Sequence, residues 1–379
     1  MQTTTCQWTV ATGWVWPATV AAPQLVLYFG ATSRLEGEFT PVRELLARFP
    51  HAVVCGCSTA GEILGSRLFD DSVVAALIEF KSTSVRAVAE STPRDADCRA
   101  AAVRAARRLT APDLRHVLML SDGLSVNGTE LVAGFRDALA PNVALTGGLA
   151  GDGSRFGTTL VGLGSDVRRE QVVAVGLYGA GLCLSYSSCG GWEGFGPRRR
   201  ITRSRGNQLL ELDGQPALAL YKRYLGDRAA GLPATGLLFP LELAQDVSGT
   251  EGLVRTILAV DEGSQSLTFA GDMPEGWYVR LMKATADQLV DGAAAAGRIA
   301  AQKLETAGSM LAIMVSCVGR RLVLGQRIEE ELEAAMRSLP PAAEAIGFYS
   351  YGETCPAAGS GLSELHNQTM TLTVITERD

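Results

Sequence analysis

The segment CGCSTAGEILG, residues 55–65, contains the pattern on which the fold of this chain is built. An apolar run typical of a strand, residues 51–55, leads into small residues that end in Gly61 and Glu62. A glycine at such a position permits a positive φ or a close backbone approach, and a carboxylate can accept hydrogen bonds from loop N–H groups. The segment therefore predicts a strand that ends in a tight corner containing an acid.

The same corner occurs at two other places in the chain. GCSTAGE (56–62), TGGLAGD (146–152) and GFYSYGE (347–353) align without a gap on the final glycine–acid pair. Each follows an apolar run, a helix-like segment and a second apolar run, and each precedes a polar loop and another strand-like run. A fourth, partial copy lies at residues 268–282. We therefore predict an α/β fold of repeated strand–helix–strand–corner–strand units that form mixed sheets covered by helices.

The composition is that of a globular protein with substantial cores, because 47% of the 379 residues are hydrophobic. The net charge of −6 does not favour nucleic acid as a partner. No apolar run approaches the roughly 20 residues of a spanning helix, and residues 1–17 lack a signal-peptide pattern. The eight cysteines lack the spacing of a zinc ribbon or a disulfide scaffold. We expect a cytoplasmic protein with reduced thiols and no membrane span.

A set of segments in a specific order resembles the FIST family of paired N-terminal and C-terminal sensory domains. The segments are VVCGCSTAGEI, ALTGGLAGD, LDGQPALALYKRYLGD, LTFAGDMPEGWYVRLM, SCVGRRLVLG, GFYSYGE and ELHNQTMTLTVI. The similarity runs from about residue 25 to residue 376. With a domain boundary placed near residue 205, it implies an N-terminal extension (1–24), a FIST N-terminal domain (25–205) and a FIST C-terminal domain (206–379).

The resemblance also implies a function. It identifies the chain as an intracellular, bacterial-type sensor of signal transduction that binds a small ligand such as an amino acid or an amine. Some members of the family bind haem and sense nitric oxide. Since the chain has no room for a kinase or cyclase of its own, we expect its output to pass to a separate signalling protein of that kind.

Seven residues are candidates for contact with the ligand. Loops held on a rigid scaffold are common binding sites, so the corners can form one cleft between the N-terminal and C-terminal halves. Carboxylates in that cleft would bind an ammonium group, while an arginine or histidine would bind a carboxylate. A purely architectural role for the glycine–acid corners is the alternative. The predicted cleft contains Ser58, Glu62, Asp152, Arg320, Ser350, Glu353 and His366.

Two other functions stay open at this stage. The sequence GCSTAG resembles the nucleophile motif G-x-S-x-G but has Ala60 in place of the second glycine, so a hydrolase would use Ser58 or Cys57. A haem sensor would need an axial ligand, and no motif in the sequence marks one. Cys55 and Cys57 lack the further ligands of a metal site. We expect a non-catalytic protein without a metal or cofactor, with haem as the alternative cofactor.

Overall fold

A computed structural model of the chain describes residues 1–18, 22–37, 40–93, 97–247, 252–302, 304, 308–357 and 360–378. Three units of the same topology follow one another along the chain, and a further module is inserted into the third unit. No helix among these residues is both long and apolar enough to cross a membrane.

The first unit contains a buried parallel pair of strands connected by a helix. Helix α2 begins at Pro41, where a proline costs no hydrogen bond, and it buries Val42 and Leu45 against the sheet. The elements of this unit are β1 (Gln2–Thr9), β2 (Gly13–Val15), β3 (Leu25–Gly30), α1 (Thr32–Leu35), α2 (Pro41–Arg48), β4 (Val53–Ser58), β5 (Glu62–Leu64), β6 (Arg67–Phe69) and β7 (Val73–Glu79).

The second unit repeats this order with an additional helix before its first parallel strand. Both helices begin at capping residues, since the side chain of Asp97 accepts from the N–H of Ala100 and that of Asn127 accepts from the N–H of Thr129. The elements are β8 (Ser84–Ser91), α3 (Cys98–Leu109), β9 (Leu114–Ser121), α4 (Gly128–Ala138), β10 (Ala144–Leu149), β11 (Val161–Leu163), β12 (Asp166–Arg168) and β13 (Gln171–Tyr178).

The third unit opens with β14 (Leu182–Cys189), and the inserted module follows directly. The module has a core of its own, formed by residues such as Ile201, Leu218 and Phe269. Its elements are β15 (Glu193–Arg205), β16 (Gln208–Leu212), β17 (Gln215–Pro216), α5 (Ala217–Leu225), two 3₁₀ helices (Gly226–Gly231 and Ala234–Leu238), β18 (Leu241–Ala244), β19 (Leu253–Arg255), β20 (Ile257–Asp261), β21 (Ser266–Phe269) and β22 (Tyr278–Lys283).

The remainder of the third unit follows the module and contains the third glycine–acid corner of the chain, Gly352 and Glu353. Its elements are α6 (Ala286–Gln302), β23 (Met310–Cys317), α7 (Val318–Leu324), a 3₁₀ turn (Gly325–Arg327), α8 (Ile328–Met336), β24 (Ala343–Ser350), β25 (Gly352–Pro356), β26 (Ser363–His366) and β27 (Met370–Glu377).

The sheets of the three units share one strand order. The parallel pairs are β3–β4, β9–β10 and β23–β24, and an antiparallel strand (β7, β13 or β27) lies beside the first strand of each pair. The strand that opens the unit (β1, β8 or β14) then pairs with that antiparallel strand. The predicted mixed α/β fold of repeated units is therefore confirmed.

The hairpin after each corner leaves its own unit and extends the sheet of another. Hairpin β5–β6 pairs with β24 of the third unit, β11–β12 pairs with β4 of the first, and β25–β26 pairs with β10 of the second. Every unit thus gives one hairpin and receives one. This exchange is cyclic, and it brings the three corners to a common centre.

The hydrophobic cores of the three units lie between their sheets and beneath the helices that cover them. The inner faces of the three sheets pack on one another, and Phe29 of the first unit lies 4.7 Å from Phe348 of the third between ring centroids. Helices α3, α4, α6 and α8 cover the outer faces of the second and third sheets, with buried residues such as Phe135 and Leu332. The alanines of α3 and α6 allow these helices to lie close to their neighbours.

Of two further predictions about domain organisation, one is wrong and the other stays a prediction. The fourth copy at residues 268–282 is not a further unit, because Gly271 and Asp272 connect antiparallel strands of the inserted module. The domain boundary near residue 205 falls at the end of β15, inside that module, and stays a prediction.

Candidate functional site

The three corners meet through backbone hydrogen bonds that pass from each unit to another. These bonds run from the N–H of Ala60 to the carbonyl of Tyr349 (2.8 Å), from Gly151 to Ser58 (3.1 Å) and from Tyr351 to Leu149 (3.1 Å). The corners are thus in mutual contact, as the repeat suggested.

A cleft with a volume of about 660 Å³ opens beside the first and second corners. Its walls come from the loop after β3, the first corner, the turn before β7, the second corner and α7. Carboxylates outnumber guanidinium groups in its lining. The charged residues are Glu36, Glu62, Asp70, Asp71, Asp152, Arg155 and Arg321.

Glu62 lies at a buried wall of the cleft, with its carboxylate held by hydroxyl and amide groups of its own unit. Its Oε1 accepts a hydrogen bond from Thr59 Oγ1 (2.5 Å), and its Oε2 accepts from Ser72 Oγ (2.9 Å) and from the N–H of Ser72 (3.2 Å). Burial nevertheless raises the pKa of Glu62 to about 7. This carboxyl therefore changes charge near neutral pH.

Asp152 organises the loop that forms the opposite wall. Its Oδ1 accepts from the N–H of Phe156 (3.0 Å), and its Oδ2 accepts from the N–H groups of Gly157 (2.8 Å) and Thr158 (2.9 Å). The hydroxyl of Tyr351, at the third corner, also donates to Oδ1. The acid of the second corner thus accepts loop N–H groups, as expected for a corner acid, and ties two corners together.

Arg321 also lines the cleft, although it is not among the seven residues predicted from the sequence. Its Nη1 donates to the carbonyl of Ala60, and its guanidinium holds Asp70 with distances of 2.9 and 2.6 Å. The side chain crosses from the third unit to the first corner. The sequence does not distinguish Arg321 from its neighbour Arg320, because no local pattern indicates which of two adjacent arginines faces a cleft formed by another unit.

Glu353 and Ser350 form the counterpart of this arrangement at the third corner, outside the cleft. Ser350 Oγ donates to Glu353 Oε1 (2.6 Å), while Oε2 accepts from the N–H (3.2 Å) and Oγ1 (3.0 Å) of Thr369. Glu353 is fully buried, and burial raises its pKa to about 8. The same geometry as that of Glu62 is therefore present here without access to the cleft.

The other three candidate residues, Arg320, His366 and Ser58, make hydrogen bonds within the protein away from the cleft lining. Arg320 is fully buried, with its Nε 2.6 Å from Glu331 Oε1. His366 hydrogen-bonds through Nε2 to the carbonyl of Cys355 (3.0 Å). Ser58 Oγ donates to the carbonyl of Gly151 (2.9 Å). The structure thus differs from the predicted single cleft.

Two of the seven candidates, Glu62 and Asp152, line this cleft; Ser58, Arg320, Ser350, Glu353 and His366 do not.

The alternative chemistries find little support in this geometry. Ser58 and Cys57 are fully buried, and burial raises the pKa of the Cys57 thiol well above its usual value, which disfavours the reactive thiolate. All eight cysteines are thiols. The described lining of the cleft contains no His, Cys, Met or Tyr that could be an axial haem ligand, so haem does not fit there. Within the described ranges, no group of three or more His, Cys, Asp or Glu side chains could hold a metal ion.

Comparison with known proteins places the chain in a family. The sequence pattern of the FIST N domain matches residues 24–215, and that of the FIST C domain matches residues 217–356. No curated protein sequence matches.

One solved structure with some similarity is described as cyanuric acid hydrolase from A. caulinodans. It is 9% identical, with 99% of each chain covered and a TM-score of 0.35, a likeness too low to support an argument about this chain. The tandem match of the two domains, in the order expected from the sequence segments, is decisive. The chain belongs to the FIST family, whose domains are sensory domains that bind small ligands in signal transduction.

Proposed function

We propose that this protein is a non-catalytic sensor that binds a small ligand with an ammonium group, an amine or an amino acid, in the cleft between Glu62 and Asp152. The observation that carries this proposal is the charge of the cleft lining. Five carboxylates face two guanidinium groups, which leaves a formal charge of −3 when every carboxyl is ionised. Such a surface attracts cations and disfavours anions.

Arg34 lies outside this lining and pairs with Asp71 at 2.6 Å, which changes the formal charge from −3 to −2. Asp70 is paired with Arg321, one of the two guanidinium groups already counted. Glu62 has no ion pair among the described residues, since its partners are hydroxyl and amide groups. An ammonium group beside Glu62 would gain a charge-assisted hydrogen bond in a partly desolvated position. Glu62 is therefore the residue that we expect to contact the cation.

An amino acid needs a cation in the cleft as well, and Arg155 is suited to that role. Its side chain is mostly exposed, and its Nε lies 4.0 Å from Asp152 Oδ2, a loose contact that a ligand carboxylate could replace. Arg321 is less available, because Asp70 and the carbonyl of Ala60 already hold it. Contact with Arg155 would thus distinguish an amino acid from a simple amine.

The remaining parts of the proposal rest on the family. We propose that the protein acts in the cytoplasm without haem or metal, and that it passes its ligand state to a separate signalling protein such as a kinase or cyclase. The burial of Ser58 and Cys57, and the hydrogen bond of Ser58 Oγ to the carbonyl of Gly151, support a binding role over a hydrolytic one. Activity-based labelling of serine and cysteine should therefore leave both residues unmodified.

A thermal-shift screen tests the ligand class. The compounds are putrescine, cadaverine, lysine, arginine, glycine and glutamate, and a compound at 100 times its Kd should stabilise the protein by about 2.7 kcal/mol. Glu62→Gln should weaken binding of the compound that the screen selects. Glu353→Gln is the matched control, because it changes an equivalent buried acid outside the cleft.

Three outcomes would decide between the possibilities. A ligand whose affinity falls in both Glu62→Gln and Arg155→Ala is an amino acid bound at both charges. Loss in Glu62→Gln alone indicates an amine. Equal affinity in wild type and Glu62→Gln would remove Glu62 from the site and refute the proposal.

A further inference from the structure

A second cavity, with a volume of about 420 Å³, lies between the second unit and the inserted module. The second unit contributes the start of α3, the loop before α4 and the second corner loop, and the module contributes β20 and β21. A cavity of this size at the junction of two folded parts is a common location for a small-molecule site. It is separate from the acidic cleft, with which it shares no lining residue.

The chemistry of this cavity is opposite to that of the cleft. None of the described residues that line it is charged. A charged ligand would lose hydration there without gaining an ion pair, so an uncharged ligand is favoured. The side chain of Phe156 gives the cavity an aromatic wall. Its ring stacks on Tyr351 with a centroid distance of 4.9 Å, which fixes its orientation.

Two polar groups in the lining are available to a ligand. Asn207 uses its Nδ2 to donate to the carbonyl of Phe269 (2.7 Å), so its Oδ1 remains an acceptor without a protein partner among the described residues. The hydroxyl of Thr268 likewise has no hydrogen bond within the described ranges. The cavity thus combines an aromatic surface, an amide acceptor and a hydroxyl.

We propose that this cavity is a second binding site, for a small uncharged aromatic amide. The amide N–H of such a ligand would donate to Asn207 Oδ1, its carbonyl would accept from Thr268 Oγ1, and its ring would pack on Phe156. This site does not depend on the function proposed for the cleft, because neither its residues nor its ligand class are shared with the cleft.

Benzamide is the probe for this site, and calorimetric titration of the full chain is the assay. Benzoate and benzamidine have the same shape and carry a charge, so they should not bind. Thr268→Val keeps the volume of the side chain and removes the hydroxyl, which should weaken benzamide about three- to ten-fold. Ala259→Trp places an indole at the exposed rim of the cavity and should abolish binding.

A matched control separates cavity filling from a general effect of a new tryptophan. Ala230 is another exposed alanine of the same module, outside the cavity, and Ala230→Trp should bind benzamide like wild type. Cys98 lines the cavity, so saturating benzamide should also slow its alkylation by iodoacetamide, followed by peptide mass spectrometry. The proposal is overturned if benzamide does not bind, if Ala259→Trp binds it like wild type, or if the charged analogues bind equally well.

Discussion

Replacing Glu353 by glutamine should remove a pH-dependent loss of stability. Burial raises the pKa of this carboxyl from 4.5 to about 8, so the folded protein holds the proton more tightly than the unfolded chain does. The resulting stabilisation is fully present below pH 4.5 and is lost as the pH rises through 8. One pH unit within this window corresponds to about 1.4 kcal/mol. Between pH 5 and pH 8 the wild type should therefore lose roughly 3 kcal/mol through this group alone.

The glutamine variant should escape this loss because it carries no ionisable proton. Its amide oxygen can accept from Thr369, and its amide nitrogen can donate to Ser350, so the buried position stays hydrogen-bonded. Urea unfolding of wild type and Glu353→Gln at pH 5, 6, 7 and 8 measures the effect. The two proteins should have similar unfolding free energies at pH 5, and the variant should be more stable by roughly 3 kcal/mol at pH 8.

The control for this experiment is Glu333→Gln, which changes an exposed glutamate of α8. Its unfolding free energy should follow that of the wild type at every pH. If the curves of wild type and Glu353→Gln also run parallel from pH 5 to pH 8, the carboxyl of Glu353 does not take up its proton in the folded protein. Burial would then not raise the pKa of this carboxyl.

Further predictions concern the buried ion pair, the first corner and the cleft. Arg320→Met leaves Glu331 buried without its ion-pair partner and should lower the free energy of unfolding by about 3–5 kcal/mol. A loss below about 1 kcal/mol, measured by urea unfolding, would contradict this prediction. Gly61 has a φ of 134°, and a Cβ at this position would lie 2.5 Å from Arg321 Nη1. Gly61→Ala should therefore lower the free energy of unfolding by about 1–3 kcal/mol, measured by thermal unfolding. An unchanged Tm would show that the corner tolerates a side chain. The pKa of Glu62 is about 7, so the affinity for a cationic ligand should fall about ten-fold from pH 8 to pH 6. Glu62→Gln should abolish this pH dependence in calorimetric titrations. An equal pH dependence in both proteins would assign the titration to another group.

The repeated unit could be predicted from the sequence alone. The gap-free alignment of the three glycine–acid corners, with similar apolar runs around them, identified equivalent places in three units, because strand, corner and loop preferences are local properties of the chain. Acceptance of loop N–H groups by the corner acids followed from the same local chemistry. The ordered segments also indicated the FIST family, which the domain matches confirm.

Which residues share a cleft could not be predicted from the sequence and depends on how the three units pack. Each hairpin joins the sheet of another unit, so the neighbours of a corner are residues hundreds of positions away, such as Arg321 beside Gly61. Adjacent residues of a helix point about 100° apart, which directs Arg320 into the core and Arg321 into the cleft. Glu62 and Glu353 have matching local contacts, yet only Glu62 lines the cleft. Access depends on what the rest of the chain packs against each corner, and no local sequence pattern contains that information.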